Sequence, residues 1–154
     1  MGFDLLLEAM DSLSLDAFHL TVVGEAVEKS FEPPASSKIT YAGWLAPAAV
    51  REHIAKSDVL IVPSRWESFC LVAAEAQVLG LPVIAGNHCS LPEIVENART
   101  GMLFSPHSAS AIAEAIGACT VEMLAKMGEE ALGLSRHRFT LEEMNRLTLE
   151  SYSA

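Results

Sequence analysis

The sequence predicts an α/β fold: a Rossmann-like parallel sheet with helices on both faces, in a single domain spanning residues 1–154. Three observations lead there. Short β-rich runs alternate with helical runs along the chain. The β-rich runs are apolar on both faces, as strands covered on two sides are. Finally, 154 residues with 51% hydrophobic and 19% charged side chains suffice for one core and do not resemble a disordered chain.

The elements follow in order. "GFDLLLEAMDSL" (2–13) has helical spacing. "FHLTVVGE" (18–25) reads as a buried strand ending at Gly24, and "EKSFEPPASS" (28–37) as a loop with two prolines. "KITYAG" (38–43) is a second strand, "APAAVREHIAKS" (46–57) a short amphipathic helix, and "DVLIVPS" (58–64) a strand closed by Pro63 and Ser64. "FCLVAAEAQVLG" (69–80) is a helix with Gly80 suited to its C-terminal cap. "LPVIAG" (81–86) is the next strand. "LPEIVEN" (91–97) is a short helix with Pro92 in its first turn, and "GMLFS" (101–105) is a further strand. The segment 108–135 is helical, with breaks expected at Gly117, Gly128 and Gly133. "TLEEMNRLTLESYS" (140–153) is a final helix, opened by the capping-box pair Thr140 and Glu143. Crossovers between parallel strands are right-handed. Ligands of such sheets sit at the carboxyl ends of the strands, where strand order reverses. The loops after Gly24, Gly43, Ser64 and Gly86 leave such ends.

Charge and composition narrow the function. The formal net charge is −10, from 10 basic and 20 acidic residues. This argues against a nucleic acid partner, which needs a basic face, but leaves room for a small phosphorylated ligand held at a helix N-terminus. Cys70, Cys89 and Cys119 show no paired spacing and read as reduced, partly buried thiols. No apolar run reaches the length of a membrane span, and "MGFDLLLEAMDS" has acids where a signal peptide needs bases. The expectation is a cytoplasmic protein, with peripheral membrane association left open.

The stretch "SRWESFCLVAAEAQVLGLPVIAG" (64–86) carries the chemistry. Glu75 stands in an apolar helical run, where a buried carboxylate needs a partner or a raised pKa. A ribose, with two hydroxyl donors, would satisfy it; so would a neighbouring backbone N–H or access to solvent. Glu67 lies between a strand end and a helix start, where an acid also serves as electrostatic capping. His88 and Cys89 lack further ligands at metal-binding spacing. They also lack the orienting third group of a nucleophilic pair.

"SDVLIVPSRWESFCLVAAEAQVLGLPVIAG" resembles the acid-x7-acid signature of the GT-B glycosyltransferases, in particular the large retaining group that uses nucleotide sugars. "SLPEIVENARTGMLFSP" resembles its mannosyltransferase-like members, and "GFDLLLEAM", "HLTVVGE" and "ITYAGWLAPAAVREHIAKSDV" fall in the family's order. The match is to the C-terminal, donor-binding half. The resemblance implies Glu75 on the nucleotide ribose and Glu67 as the catalytic residue beside the donor sugar, contacting its hydroxyls or supporting charge at the reacting carbon. It further implies Ser64, Arg65, Ser68, Phe69, Cys70, Gly24, Gly43, Trp44, Ser90 and Leu91 as donor-binding positions, with Glu93 bracing its loop. Ser68 and Cys70 replace glycines usual in the family, and Ala26 replaces another after Gly24. No tightly held metal or other cofactor is implied, since helix dipoles and basic side chains stabilise the leaving diphosphate.

The same resemblance implies an N-terminal acceptor domain as partner, and a strand and a phosphate-binding Arg and Lys just before Gly2. The chain alone is therefore expected to be inactive. Without that strand, segments 19–24 and 58–62 are expected either to pair directly or to borrow a strand in a homodimer. Three alternatives stay open: a non-catalytic nucleotide- or protein-binding module, the nucleotide-sugar epimerases of the same fold, and a response-regulator domain. The last needs an acidic pocket after the first strand and a distal lysine that the sequence does not offer.

Overall fold

The computed structural model describes residues 2–13, 18–25, 34, 36–105 and 108–152. Most of the expected proline-containing loop lies outside them. Helix α1 (Phe3–Ser12) leads to β1 (Leu20–Val23) and β2 (Ile39–Gly43). Then come α2 (Pro47–Ala55), β3 (Leu60–Val62), α3 (Leu71–Val78), β4 (Val83–Gly86), the single-turn α4 (Leu91–Ile94) and β5 (Gly101–Phe104). Helices α5 (Ala109–Gly117), α6 (Val121–Arg138) and α7 (Leu141–Ser151) close the described chain.

All pairings are parallel. β1 pairs with β2, and β3, β4 and β5 form a second ladder in that order. β1 and β3 do not pair, so the direct closure considered from the sequence is not what the chain adopts. Within each ladder the strands follow chain order, each parallel to the last.

Alternation along the strands divides the core in two. Val83 and Ala85 of β4 face one cluster, with Val62, Ala73, Ala76, Leu91, Ile94 and Val95. Ile84 faces the other, with Leu6, Ala9 and Met10 of α1 and Ile112, Ala115 and Ile116 of α5. Every residue of β4 is buried. This two-sided burial explains the continuous apolar runs. The three, four spacing of Leu6, Ala9 and Met10 gives α1 one apolar stripe, which lies on α5.

The inner face of α3 is small: Ala73, Ala74 and Ala76, with Gln77. Gln77 is not orphaned. Its side-chain amide donates to the Thr100 hydroxyl at 3.0 Å, that hydroxyl accepts the Glu96 N–H at 3.0 Å, and Ser135 of α6 donates to the Gln77 carbonyl at 3.0 Å. A buried polar network with each member paired fixes the register of α3, α6 and the turn before β5.

Three helices are opened by side-chain caps. Ser108 accepts from Ala111 N–H, Thr120 from Met123 N–H and Thr140 from Glu143 N–H. The final cap is the one expected from sequence. Other expectations need correction. The helix expected over 91–97 stops at Ile94, because Val95 turns to extended backbone and buries its side chain. Gly117 ends α5 as expected, but α6 runs through both Gly128 and Gly133. Gly128 is there for packing: a Cβ on it would collide with the Gly80 carbonyl oxygen. Gly80 itself has φ 77° and closes the turn after α3.

The two α6 glycines therefore make opposite predictions. Gly128→Ala should lower stability by about 1–3 kcal/mol through overpacking. Gly133→Ala, where a Cβ meets nothing, should raise it by about 0.5–1 kcal/mol through helix propensity. Urea denaturation of the two variants checks this, and equal effects would refute the packing role of Gly128.

Candidate functional site

The site is built at the carboxyl ends of β3 and β4. After β3 the chain runs through Pro63, Ser64, Arg65, Trp66, Glu67, Ser68 and Phe69 to Cys70, the N-terminal flank of α3. Cys70 has φ 70° and ψ 69°, a left-handed backbone that a non-glycine residue adopts at a cost. Its side chain is buried in the α3-side core. Burial pushes the Cys70 thiol pKa up, and the nearby Glu67 carboxylate adds to the shift. A glycine would adopt this backbone without strain, whereas Cys70 is held in it by the burial of its side chain.

Of the alternatives open for Glu75, the chain gives it access to solvent. It is exposed, on the outer face of α3. Burying the alanine side of α3 turns Leu71, Val72, Glu75, Val78 and Leu79 outward as one stripe. The apolar run that suggested an interior carboxylate is, on this face, an exposed patch with one acid at its centre. Glu67 is half-buried at the mouth of the same helix.

Arg65 donates from Nη2 to Asp4 Oδ2 at 2.7 Å, which ties the first turn of α1 to the β3 loop. This hydrogen bond holds the Asp4 carboxyl below its ordinary pKa. Both partners are exposed, so the contribution is small; it is present above the ordinary carboxylate pKa and lost as pH falls through the lowered one.

Gly24 and Gly43 end β1 and β2 with φ 123° and 66°, and the space where a Cβ would stand is open at both. Trp44 is 78% exposed and Trp66 74% exposed. Trp44 therefore does not pack into the core beside α2.

After β4 comes Asn87–Ser90, then α4. Cys89 is exposed at φ 52°, so it is not one of the partly buried thiols expected. Leu91 N–H donates to the His88 carbonyl at 3.3 Å, and Glu93 N–H to the Ser90 carbonyl at 3.0 Å. Both ring nitrogens of His88 and the Ser90 hydroxyl are buried without a hydrogen-bond partner among the described residues.

The two loops are joined by residues that the sequence does not single out. Phe139, just after α6, meets the Phe69 ring edge-on, with centroids 6.5 Å apart and planes at 89°. The Arg138 guanidinium lies 5.7 Å over the Phe139 ring and donates to the Glu93 carbonyl. No local pattern marks either residue, because their partners lie far away in the chain.

Parallel strand ladders covered by helices on both faces define a Rossmann-like domain. Residues 1–120 match the family described as glycosyl transferases group 1, and the chain belongs to it. An uncharacterised 41.2 kDa protein of the cps region of Klebsiella pneumoniae is 31% identical over 153 residues, 99% of this chain and 43% of that protein. The D-inositol 3-phosphate glycosyltransferase of Streptomyces scabiei is 39% identical over 103 residues, 66% of this chain and 21% of that enzyme. In fold, the chain is similar to Anabaena HepE in complex with UDP-glucose, with a TM-score of 0.82 at 22% identity, over 99% of this chain and 45% of that one. Sucrose-phosphate synthase of Thermosynechococcus elongatus gives 0.79 at 24%, over 99% and 42%. The chain thus spans less than half the length of these relatives, and its fold is that of one half of a GT-B enzyme.

The two strained cysteines yield a paired prediction. Cys89→Gly should stabilise the chain by about 1 kcal/mol, because it relieves a left-handed residue without removing buried surface. Cys70→Val, a β-branched residue at φ 70°, should cost about 2 kcal/mol or more. Thermal denaturation of both variants gives the signs, and a neutral Cys70→Val would show that the turn is not strained.

Proposed function

We propose that this domain is the nucleotide-sugar-binding half of a retaining glycosyltransferase that moves a hexose to a sugar or lipid-linked acceptor. The observation that carries the reading is the placement of the two acids. Glu67 stands at the mouth of α3 beside the strained Cys70 turn, and Glu75 lies open on the outer face of the same helix. An exposed carboxylate ringed by apolar side chains can accept from both hydroxyls of a ribose. Glu67 takes the sugar. Ser64, Ser68, Phe69 and Cys70 frame the donor from the β3 loop. Gly24, Gly43 and Trp44 lie toward the base and Ser90 toward the phosphates, whereas Leu91, whose side chain is buried and whose N–H is given to the His88 carbonyl, seats the loop in the core instead of meeting the ligand as expected. The UDP-glucose bound by HepE supports a nucleoside diphosphate sugar as the ligand class, and no tightly held metal is needed.

The acceptor half of the enzyme is the proposed partner. Trp44, Trp66 and the stripe Leu71, Val72, Val78 and Leu79 present apolar surface of the kind that a second domain covers. A second copy of this chain is the competing occupant. No helix among the described residues is long and apolar enough to cross a membrane; the proposed setting is the cytoplasm, with peripheral membrane contact through the whole enzyme.

Isothermal titration of the chain with UDP, GDP and ADP, without added metal, tests the binding. One nucleoside diphosphate should bind measurably. Glu75→Gln should weaken it by about tenfold or more, the effect of losing charge from hydrogen bonds to two hydroxyls. Glu67→Gln should spare the free nucleotide and weaken the nucleotide sugar. Equal losses for both variants on both ligands would remove this division of roles, and heats equal to buffer for all three nucleotides would remove the site.

A further inference from the structure

We propose that the Arg138–Phe139 corner at the end of α6 is a positioning element. It clamps the loop 65–70 to α4, so that the two walls of the site move as one. The proposal rests on the reading of these loops as a nucleotide-sugar site. The corner lies outside residues 1–120, the part of the chain that matches the family.

The geometry is a chain of contacts with α6 as its anchor. Phe69 is 46% exposed and stands at the start of the left-handed Cys70 turn. Such a turn persists only where its surroundings determine it from several sides. The buried side is supplied by the core around Cys70 and Leu91. The outer side is supplied by Phe139, whose ring packs on that same core and meets Phe69 at 89°. Edge-to-face pairs have a preferred geometry, so the contact orients Phe69 as well as covering it.

Arg138 holds the other wall. One guanidinium nitrogen donates to the Glu93 carbonyl on α4, and another lies 3.7 Å from Glu96 Oε1. Glu96 also accepts from Arg99 at 2.9 Å, and Arg99 reaches Glu130 of α6 at 3.0 Å. α4 is thus gripped from α6 at Glu93 in its single turn and again at Glu96, just past its C-terminal end. The guanidinium covers the Phe139 ring at 5.7 Å, which makes the two grips one unit. Glu67 and Ser68 precede Phe69, and Ser90 precedes Glu93, so residues proposed to touch the ligand hang from both sides of the clamp.

The test uses the 154-residue chain with Phe139→Leu, Arg138→Ala and the conservative Phe139→Tyr. Three readouts are taken: UDP-glucose affinity by titration, backbone amide NMR signals of residues 67–70 and 93–96 without ligand, and urea stability. Phe139→Leu and Arg138→Ala should each weaken UDP-glucose by about three- to tenfold. The amide signals of Ser68–Cys70 should broaden or split, and Phe139→Tyr should retain wild-type behaviour. Affinity within about twofold of wild type, with unshifted loop signals, would overturn the clamp. So would an affinity loss that tracks a uniform loss of stability and is not recovered by Phe139→Tyr. If the wild-type chain binds no UDP-glucose, the functional reading fails instead. The ligand-free spectra then decide the clamp alone: unchanged signals at 67–70 in Phe139→Leu overturn it.

Discussion

The close approach of α3 to the sheet and to α6 governs the rest of the structure. Ala73, Ala74 and Ala76 leave almost no side-chain volume between this helix and the strands. Gly128 removes the last obstacle, since any side chain there would strike the Gly80 carbonyl. A helix seated so closely has little choice about its other residues. The larger apolar side chains and Glu75 must face outward, and the chain must turn sharply to enter the helix. The left-handed Cys70 and the exposed position of Glu75 are therefore two consequences of one packing decision.

The same decision explains why the site needs support from a distance. The turn at Cys70 stores strain of about 1–3 kcal/mol, held by burial of its thiol in the core and by the aromatic contact from Phe139. On the opposite wall, α4 is a single turn and cannot hold itself rigid. Its fixity comes from the buried Leu91 and Ile94 and from the arginines that reach Glu93 and Glu96. Rigid elements with short loops between them place ligand groups well only when the loops are themselves braced.

Much of this fold is legible in the sequence because it is local. The alternation of apolar strands with helices, Gly80 after α3, Pro92 inside α4 and the Thr140–Glu143 cap all depend on neighbouring residues. What is not legible depends on distant ones. An apolar helix does not announce which of its faces is inward, and Glu75 reaches solvent because alanines, the smallest apolar residues, win the inner face. Gly128 reads as a break by propensity, yet its reason is the Gly80 carbonyl of another helix end. Arg138 and Phe139 carry no local signal, since their partners Glu93 and Phe69 lie 45 and 70 residues away by subtraction of the residue numbers. The paired acids were legible as a motif, while their environment was not.

The charge distribution bears on how a diphosphate could be held by so acidic a chain. The net charge is −10, and several arginines near the site are already engaged. Arg65 serves Asp4, Arg99 serves Glu96 and Glu130, and Arg138 serves Glu96. A cation neutralised by a carboxylate at hydrogen-bond distance offers a phosphate less than its formal charge suggests. These arginines act first as fasteners. Arg65 in particular secures α1 to the β3 loop and presents to the site an ion pair instead of a bare positive charge. On the proposed reading, recognition by this half falls to groups that do not depend on net charge: carboxylates toward hydroxyls, open glycine turns toward close approach, and exposed aromatic faces toward a planar base. Attraction for the phosphates, on that reading, does not come from these three arginines, whose charge is already paired with Asp4, Glu96 and Glu130, and their part is to hold the loops that orient the ligand.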